Sequence, residues 1–188
     1  MKSKHVFISI DGVDGVGKTT VAKLFATDCG YHYHKSPSGM FAQLRSEVDL
    51  HATPLERYCF YRLASQHDSA QISQLLQTTS VICDRYIAST AAYHFAMDPR
   101  IREIHEESTL LIPHFAFLLE ARSDVRKDRM AKRATITSDA TLERNGAFLD
   151  QVNEVFRTLG LISVDTSDVT VEEVVATVRN IVEGKGGV

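Results

Sequence analysis

An α/β fold, a doubly wound parallel sheet flanked by helices, is what this sequence predicts, and three observations carry the prediction. Short runs rich in Val, Ile, Leu and Phe recur along the chain at strand length. They alternate with longer stretches of helical periodicity, the pattern of strand–helix–strand units whose strands run parallel. The 188 residues, 44% of them hydrophobic, suit one domain around one core. No internal repeat or low-complexity linker divides them.

The first strand is expected at residues 6–10 (VFISI), followed by a helix over 18–28 and a weaker strand, YHYH, at 31–34. A long helical pattern covers 55–77 and leads into the strand SVICD at 80–84. Another strand at 114–119 precedes a charged helix at 123–133, and a helix follows over 141–159. In that last helix Phe148, Val152, Val155, Phe156 and Leu159 share a face and read as core. A strand at 161–164 and a helix at 171–182 close the fold, leaving GKGGV (184–188) as an unstructured tail. Glu103, Glu106 and Glu107 are assigned to a solvated helix. His32 and His34 alternate on a strand, but no third ligand lies near them in sequence, so a structural role is assigned rather than a metal site. The whole chain, 1–188, is read as one domain.

Composition restricts the function. The formal net charge of −3 argues against a partner such as a nucleic-acid polymer, which calls for a basic excess. An anionic ligand must therefore meet locally placed charge. Cys29, Cys59 and Cys83 are odd in number and lack metal-ligand spacing, as expected of reduced thiols in a cytoplasmic protein. The apolar start at 6–10 is too short for a signal peptide or a membrane span.

The stretch IDGVDGVGKTT follows the first strand and spells G-x-x-x-x-G-K-[ST] from Gly12 to Thr19. Gly12, Gly15 and Gly17 let the backbone fold back with its N–H groups inward, towards the positive end of the helix that begins near Lys18. Such a hollow suits a polyphosphate, with Lys18 reaching the terminal phosphates and the Thr19 hydroxyl holding Mg²⁺. This is the phosphate loop of a P-loop NTPase fold. No N/T-K-x-D segment for reading guanine follows, which argues for ATP. Asp84 ends the strand Val81-Ile82-Cys83-Asp84, where it faces the crevice of an open α/β sheet and can hold Mg²⁺ through water. Arg85 beside it offers a planar fork to a phosphate.

Two stretches resemble the thymidylate kinase family over nearly the whole chain. FISIDGVDGVGKTT matches the family's E-G-x-D-G-x-G-K-[ST]-T except that Asp11 replaces the glutamate. DRYIASTAAYH matches D-R-[YF]-x-x-S-x-x-A-Y at every slot, from Asp84, Arg85 and Tyr86 through Ser89 to Ala92 and Tyr93. The proline-led strand of the family, ending in L-L-D, has its counterpart in IPHFAFLLE. The resemblance implies an ATP- and Mg²⁺-dependent nucleoside monophosphate kinase, with dTMP or a related deoxynucleotide as acceptor. The ATP and Mg²⁺ site then falls on Gly12, Asp14, Gly15, Gly17, Lys18, Thr19 and Thr20, with Asp84 as second metal anchor. On the acceptor side the resemblance assigns Asp14 to the sugar 3′-hydroxyl and Arg85 to the acceptor phosphate. Tyr93 falls where a ring crowds the sugar's 2′ position.

KSPSGMFAQLR (35–45) stands where the family has R-E-P-G-G-T and a helix with an arginine, so Pro37 and Arg45 join the acceptor site, Arg45 as a second phosphate ligand. The family's F-x-x-x-R, which stacks on and reads thymine, becomes Phe60 and Ala64: the base-reading arginine is missing, and Arg62 projects from another side of the helix. The lid, about 129–145, matches R-x-x-x-R in Arg129 and Arg133, four residues apart on one helix face; Gly15 stands where other members carry a loop arginine. The family's D-R pair beyond the lid is Asp139-Ala140. With Lys18 and Arg85, the lid pair is assigned to stabilising charge during transfer. The family is commonly homodimeric, which implies the same here. A kinase for a modified nucleotide or for a nucleoside, and a non-catalytic nucleotide-binding protein, stand as alternatives.

Overall fold

The computed structural model describes residues 5–132 and 145–185. Arg133, Asp139, Ala140, most of the expected lid and the start of the expected 141–159 helix lie outside these residues.

Five parallel strands form one sheet: β1 (Phe7–Asp11), β2 (His32–Lys35), β3 (Val81–Asp84), β4 (Phe115–Glu120) and β5 (Ile162–Asp165), in the order β2-β3-β1-β4-β5. β1 is central and buried throughout, Ser9 and Asp11 included, as befits a strand covered on both faces. Its alternate residues feed two clusters, Ile8 and Ile10 the larger and Phe7 the smaller. The register sets Ile10 opposite Asp84 and Asp11 opposite Leu118, so the carboxyl ends of β1, β3 and β4 open at one edge.

The helices are α1 (Lys18–Cys29), α2 (Gly39–His51), α3 (Pro54–Leu75), α4 (Ile87–Met97), α5 (Ser123–Lys132), α6 (Gly146–Thr158) and α7 (Val171–Lys185), with a 3-10 turn at Pro99–Glu103. Thr53 and Glu56 cap α3 reciprocally, with Pro54 at its first position. In α6 Leu149, Val152, Val155 and Phe156 are buried, as the apolar spacing requires.

The structure departs from the sequence pattern at several elements. α2 and α4 do not stand out as periodic stretches. α4 (IASTAAYHFAM) carries no charged Asp, Glu, Lys or Arg and buries residues on every side, so it has no polar face to set a period. α2 buries only Phe41. α7 continues through Gly184 to Lys185, where a tail was expected from 184. The solvated helix at 103–107 is corrected: Glu103 ends the 3-10 turn, while Glu106 and Glu107 follow it in irregular chain, Glu107 2.7 Å from His105. His34 is buried with Nε2 3.0 Å from Asp68, whereas His32 is exposed, so the two do not form one site.

Candidate active site

The phosphate loop leaves β1 at Gly12, whose φ is 136° and whose added Cβ would lie 2.4 Å from the Leu119 carbonyl oxygen. Only glycine fits there. Gly17, with φ 97°, caps α1 without a side-chain hydrogen bond, and no acidic residue stands in the first turn. The positive end of α1 is thus left to an anion. Lys18 is buried and donates from Nζ to the Val13 carbonyl at 2.7 Å and to Asp14 Oδ1 at 3.3 Å. Thr20, next along α1, is exposed.

Thr19 Oγ1 donates to Asp84 Oδ2 at 2.6 Å, bringing the two expected metal anchors together. Tyr33, which sequence reasoning did not single out, donates to the same oxygen at 3.1 Å. Burial, and after it the Asp84 charge, push the Tyr33 hydroxyl pKa up. Asp84 is almost fully buried, and this pair of hard oxygen donors fits Mg²⁺, which binds through few protein ligands.

Arg85 adopts φ 70°, left-handed for a non-glycine residue. This turns its guanidinium back over the loop. Nη1 donates to the Gly12 carbonyl at 3.1 Å and Nη2 pairs with Asp14 Oδ1, while the group lies 5.5 Å from the centre of the Tyr93 ring. Burial alone would raise the Asp14 pKa, but the charges of Arg85 and Lys18, with Arg45 behind them, hold it well below the ordinary carboxylate range. Arg45 donates from Nε to Asp49 at 3.3 Å, a carboxylate shared with Arg57 and Tyr61. Pro37 is buried just after Ser36, whose N–H donates to the Asp84 carbonyl at 3.2 Å.

Asp11 serves the site from below. Its Oδ1 accepts from the N–H groups of Tyr86 and Ser89, both at 3.0 Å, and from the Ser89 hydroxyl at 2.6 Å, capping α4 from a different element. The motif D-R-Y-x-x-S contained that signal in Ser89.

On α3, Phe60 is partly exposed, but Ala64 has no exposed surface. Phe41 of α2 packs with its ring 5.4 Å from Phe60 and 5.5 Å from His67, residues on the same face of α3 as Ala64. Arg62 points elsewhere, donating to the Glu106 carbonyl at 2.7 Å and to Thr109 at 2.8 Å.

Among the described lid residues, Arg129 does not reach the phosphate loop directly: Nη2 donates to the Thr166 carbonyl at 2.6 Å and Nη1 to its hydroxyl at 3.0 Å. Arg126, absent from the sequence-based site, donates from Nε to the Asp14 carbonyl at 2.9 Å. The basic run RKDRMAKR holds no spacing signal that tells which turn faces the loop.

A parallel sheet whose central strand runs into this glycine loop, with Lys18, Thr19 and the Asp84-Arg85 pair converging on it, defines a P-loop phosphotransferase. The family model described as Thymidylate kinase matches residues 10–178, and the chain belongs to that family. A probable thymidylate kinase of Caldivirga maquilingensis is 26% identical over 197 residues, covering 96% of this chain and 94% of its relative. The thymidylate kinase of Mycoplasma genitalium is 31% identical over 148 residues and 70% of each chain. Among solved structures, a thymidylate kinase from Candida albicans superimposes with a TM-score of 0.79 at 21% identity, over 97% of this chain and 92% of the other. A deoxyadenosine kinase from M. mycoides gives 0.68 at 14%, over 95% and 99%. The family makes the protein a nucleoside monophosphate kinase. No helix among the described residues is long and apolar enough to cross a membrane.

Proposed function

We propose that the protein transfers the terminal phosphoryl group of ATP to dTMP or a closely related deoxynucleotide in the cytoplasm. The observation that carries this reading is the pairing of Arg85 with Asp14 directly over the loop that holds Lys18. A cation for each phosphate partner then meets one carboxylate oxygen, Asp14 Oδ1. In this reading the loop and Lys18 hold the ATP phosphates, Arg85 with Arg45 holds the acceptor phosphate, and Asp14 meets the sugar. Mg²⁺, held by Thr19 and Asp84, would supply positive charge to the transferring phosphates. The acceptor oxygen attacks in line, so no side chain forms a covalent intermediate; the residues position the partners and offset charge.

Phe60 gives the base an aromatic face, and stacking tolerates any base. A charged hydrogen bond to the base contributes about 1.5–3 kcal/mol, or one to two decades of discrimination, and Ala64 supplies none. We therefore expect turnover of dTMP together with other deoxynucleoside monophosphates to within about a hundredfold. An ADP-release assay with ATP, Mg²⁺ and a panel of monophosphates and parent nucleosides tests this. Activity on nucleosides alone would reassign the acceptor, and exclusive activity on dTMP would mean that another group reads the base.

A homodimer belongs to the same reading. Met40, Leu44, Leu55 and Leu63 leave large apolar side chains exposed on α2 and α3, which suits self-association. Sedimentation velocity at two concentrations separates dimer from monomer.

A further inference from the structure

The outer side of the phosphate loop is gripped by α5. Arg126, with 7% of its surface exposed, donates from Nε to the Asp14 carbonyl at 2.9 Å. One turn further along, Arg129 holds Thr166 by both its carbonyl and its hydroxyl. The single Thr166 hydroxyl hydrogen is shared between the carbonyls of Val16, 3.0 Å away, and Glu120, 3.1 Å away. The carbonyls of Asp14 and Val16 are thus both drawn towards α5 and the segment after β5. The approach is close: a Cβ on Gly15 would lie 3.0 Å from the Arg126 carbonyl oxygen and 3.2 Å from the Arg126 Cβ.

In a trans peptide the N–H points opposite to its own C=O. Drawing the Asp14 and Val16 carbonyls outward therefore aims the N–H groups of Gly15 and Gly17 to the opposite side of the loop. Successive N–H groups facing one way form a nest for an anion. Gly12, Gly15 and Gly17 all sit at positive φ, and glycine fixes its own peptide planes poorly. The planes must be set from outside the loop, and a charged donor is the stronger means of doing so.

We infer that Arg126 is a positioning residue for phosphate binding, fixing the Asp14–Gly15 peptide while Thr166, held by Arg129, fixes the Val16–Gly17 peptide. This rests on the reading of the loop as the ATP phosphate site. Calorimetric binding of ATP, inorganic tripolyphosphate and adenosine to the full chain and to Arg126→Ala, Arg126→Lys and Thr166→Val tests it. Arg126→Ala is expected to weaken ATP and tripolyphosphate alike by about tenfold or more, and to leave adenosine binding unchanged. Arg126→Lys keeps the charge without the planar donor and should recover part of the loss. Should Arg126→Ala fail to fold, Thr166→Val reads the same grip and is expected to weaken tripolyphosphate binding. Wild-type affinity in both Arg126→Ala and Thr166→Val, or an equal loss for adenosine, would overturn the inference. Failure of the unsubstituted protein to bind ATP would overturn the loop reading, and this inference with it.

Discussion

At the scale of single residues, charge in this protein is held in place by charge. Asp14 is partly exposed, yet Arg85 and Lys18 converge on one of its oxygens. Because its folded pKa is depressed, its contribution to stability is present above the unfolded carboxyl value. It is lost only as the pH falls through the lower folded one, so Asp14 stays ionised wherever the enzyme works. His94 has the opposite logic. Burial, with the Arg57 charge in support, lowers its pKa from 6.5 to about 4 against the Thr90 carbonyl and Asp49, which act the other way. Its Nδ1 donates to that carbonyl at 2.6 Å, while Nε2 is buried without a hydrogen-bond partner among the described residues, near the rings of Tyr58 and Tyr61. The unfolded chain binds the proton first, so stability falls as pH drops from about 6.5 towards 4. Urea unfolding is expected to lose about 2 kcal/mol from His94 between pH 7 and pH 5. The His94→Gln variant, which cannot charge, should show a flatter profile over that interval. An equal slope in both proteins would locate the titration elsewhere.

At the scale of elements, what surrounds a segment decided how much of it the sequence disclosed. The central strands were legible because strands covered on both faces are largely apolar, as FISID and VICD are apart from Ser9 and the terminal Asp11 and Asp84. α4 was hidden for a related reason: burial on every side erases the period by which a helix is recognised, and its cap comes from Asp11, 75 residues before Tyr86. The Arg85–Asp14 contact was not among the sequence-based expectations, whereas the Thr19–Asp84 pairing was legible because both residues lie in motifs placed at strand ends. Arg126 was not, since five basic side chains within RKDRMAKR offer several faces and only packing against Gly15 selects one. Ala64 shows how α2 alters α3. Ala64 has no exposed surface, and Phe41 packs against Phe60 and His67, the residues one turn to either side of it. Installing Ala64→Arg should therefore overpack the α2–α3 contact and bury a charge, lowering stability by at least about 2 kcal/mol in urea unfolding. Full stability in that variant would show that α2 yields and that the position opens to the base.

At the scale of the whole molecule, the net charge of −3 and an anionic substrate pair are reconciled by local concentration of cations. Lys18 opens α1, Arg85 follows the end of β3 and Arg126 lies on α5, yet all three bond to Asp14. The sheet order β2-β3-β1-β4-β5 makes this convergence: it sets β3 beside β1, so that Asp84 and Arg85 emerge next to the loop that β1 feeds. Strand existence was readable from the sequence, whereas this adjacency depends on non-local pairing that no local pattern encodes. The central claim is that the loop drives phosphoryl transfer to a nucleoside monophosphate. Its most direct test is dTMP-dependent ADP release from ATP and Mg²⁺, measured beside thermal unfolding, for the unsubstituted protein and for Lys18→Ala. Lys18 is expected to contribute transition-state charge and little packing, so turnover should fall by about a hundredfold or more with the melting temperature held. Undiminished, dTMP-dependent turnover in a folded Lys18→Ala protein would contradict the account.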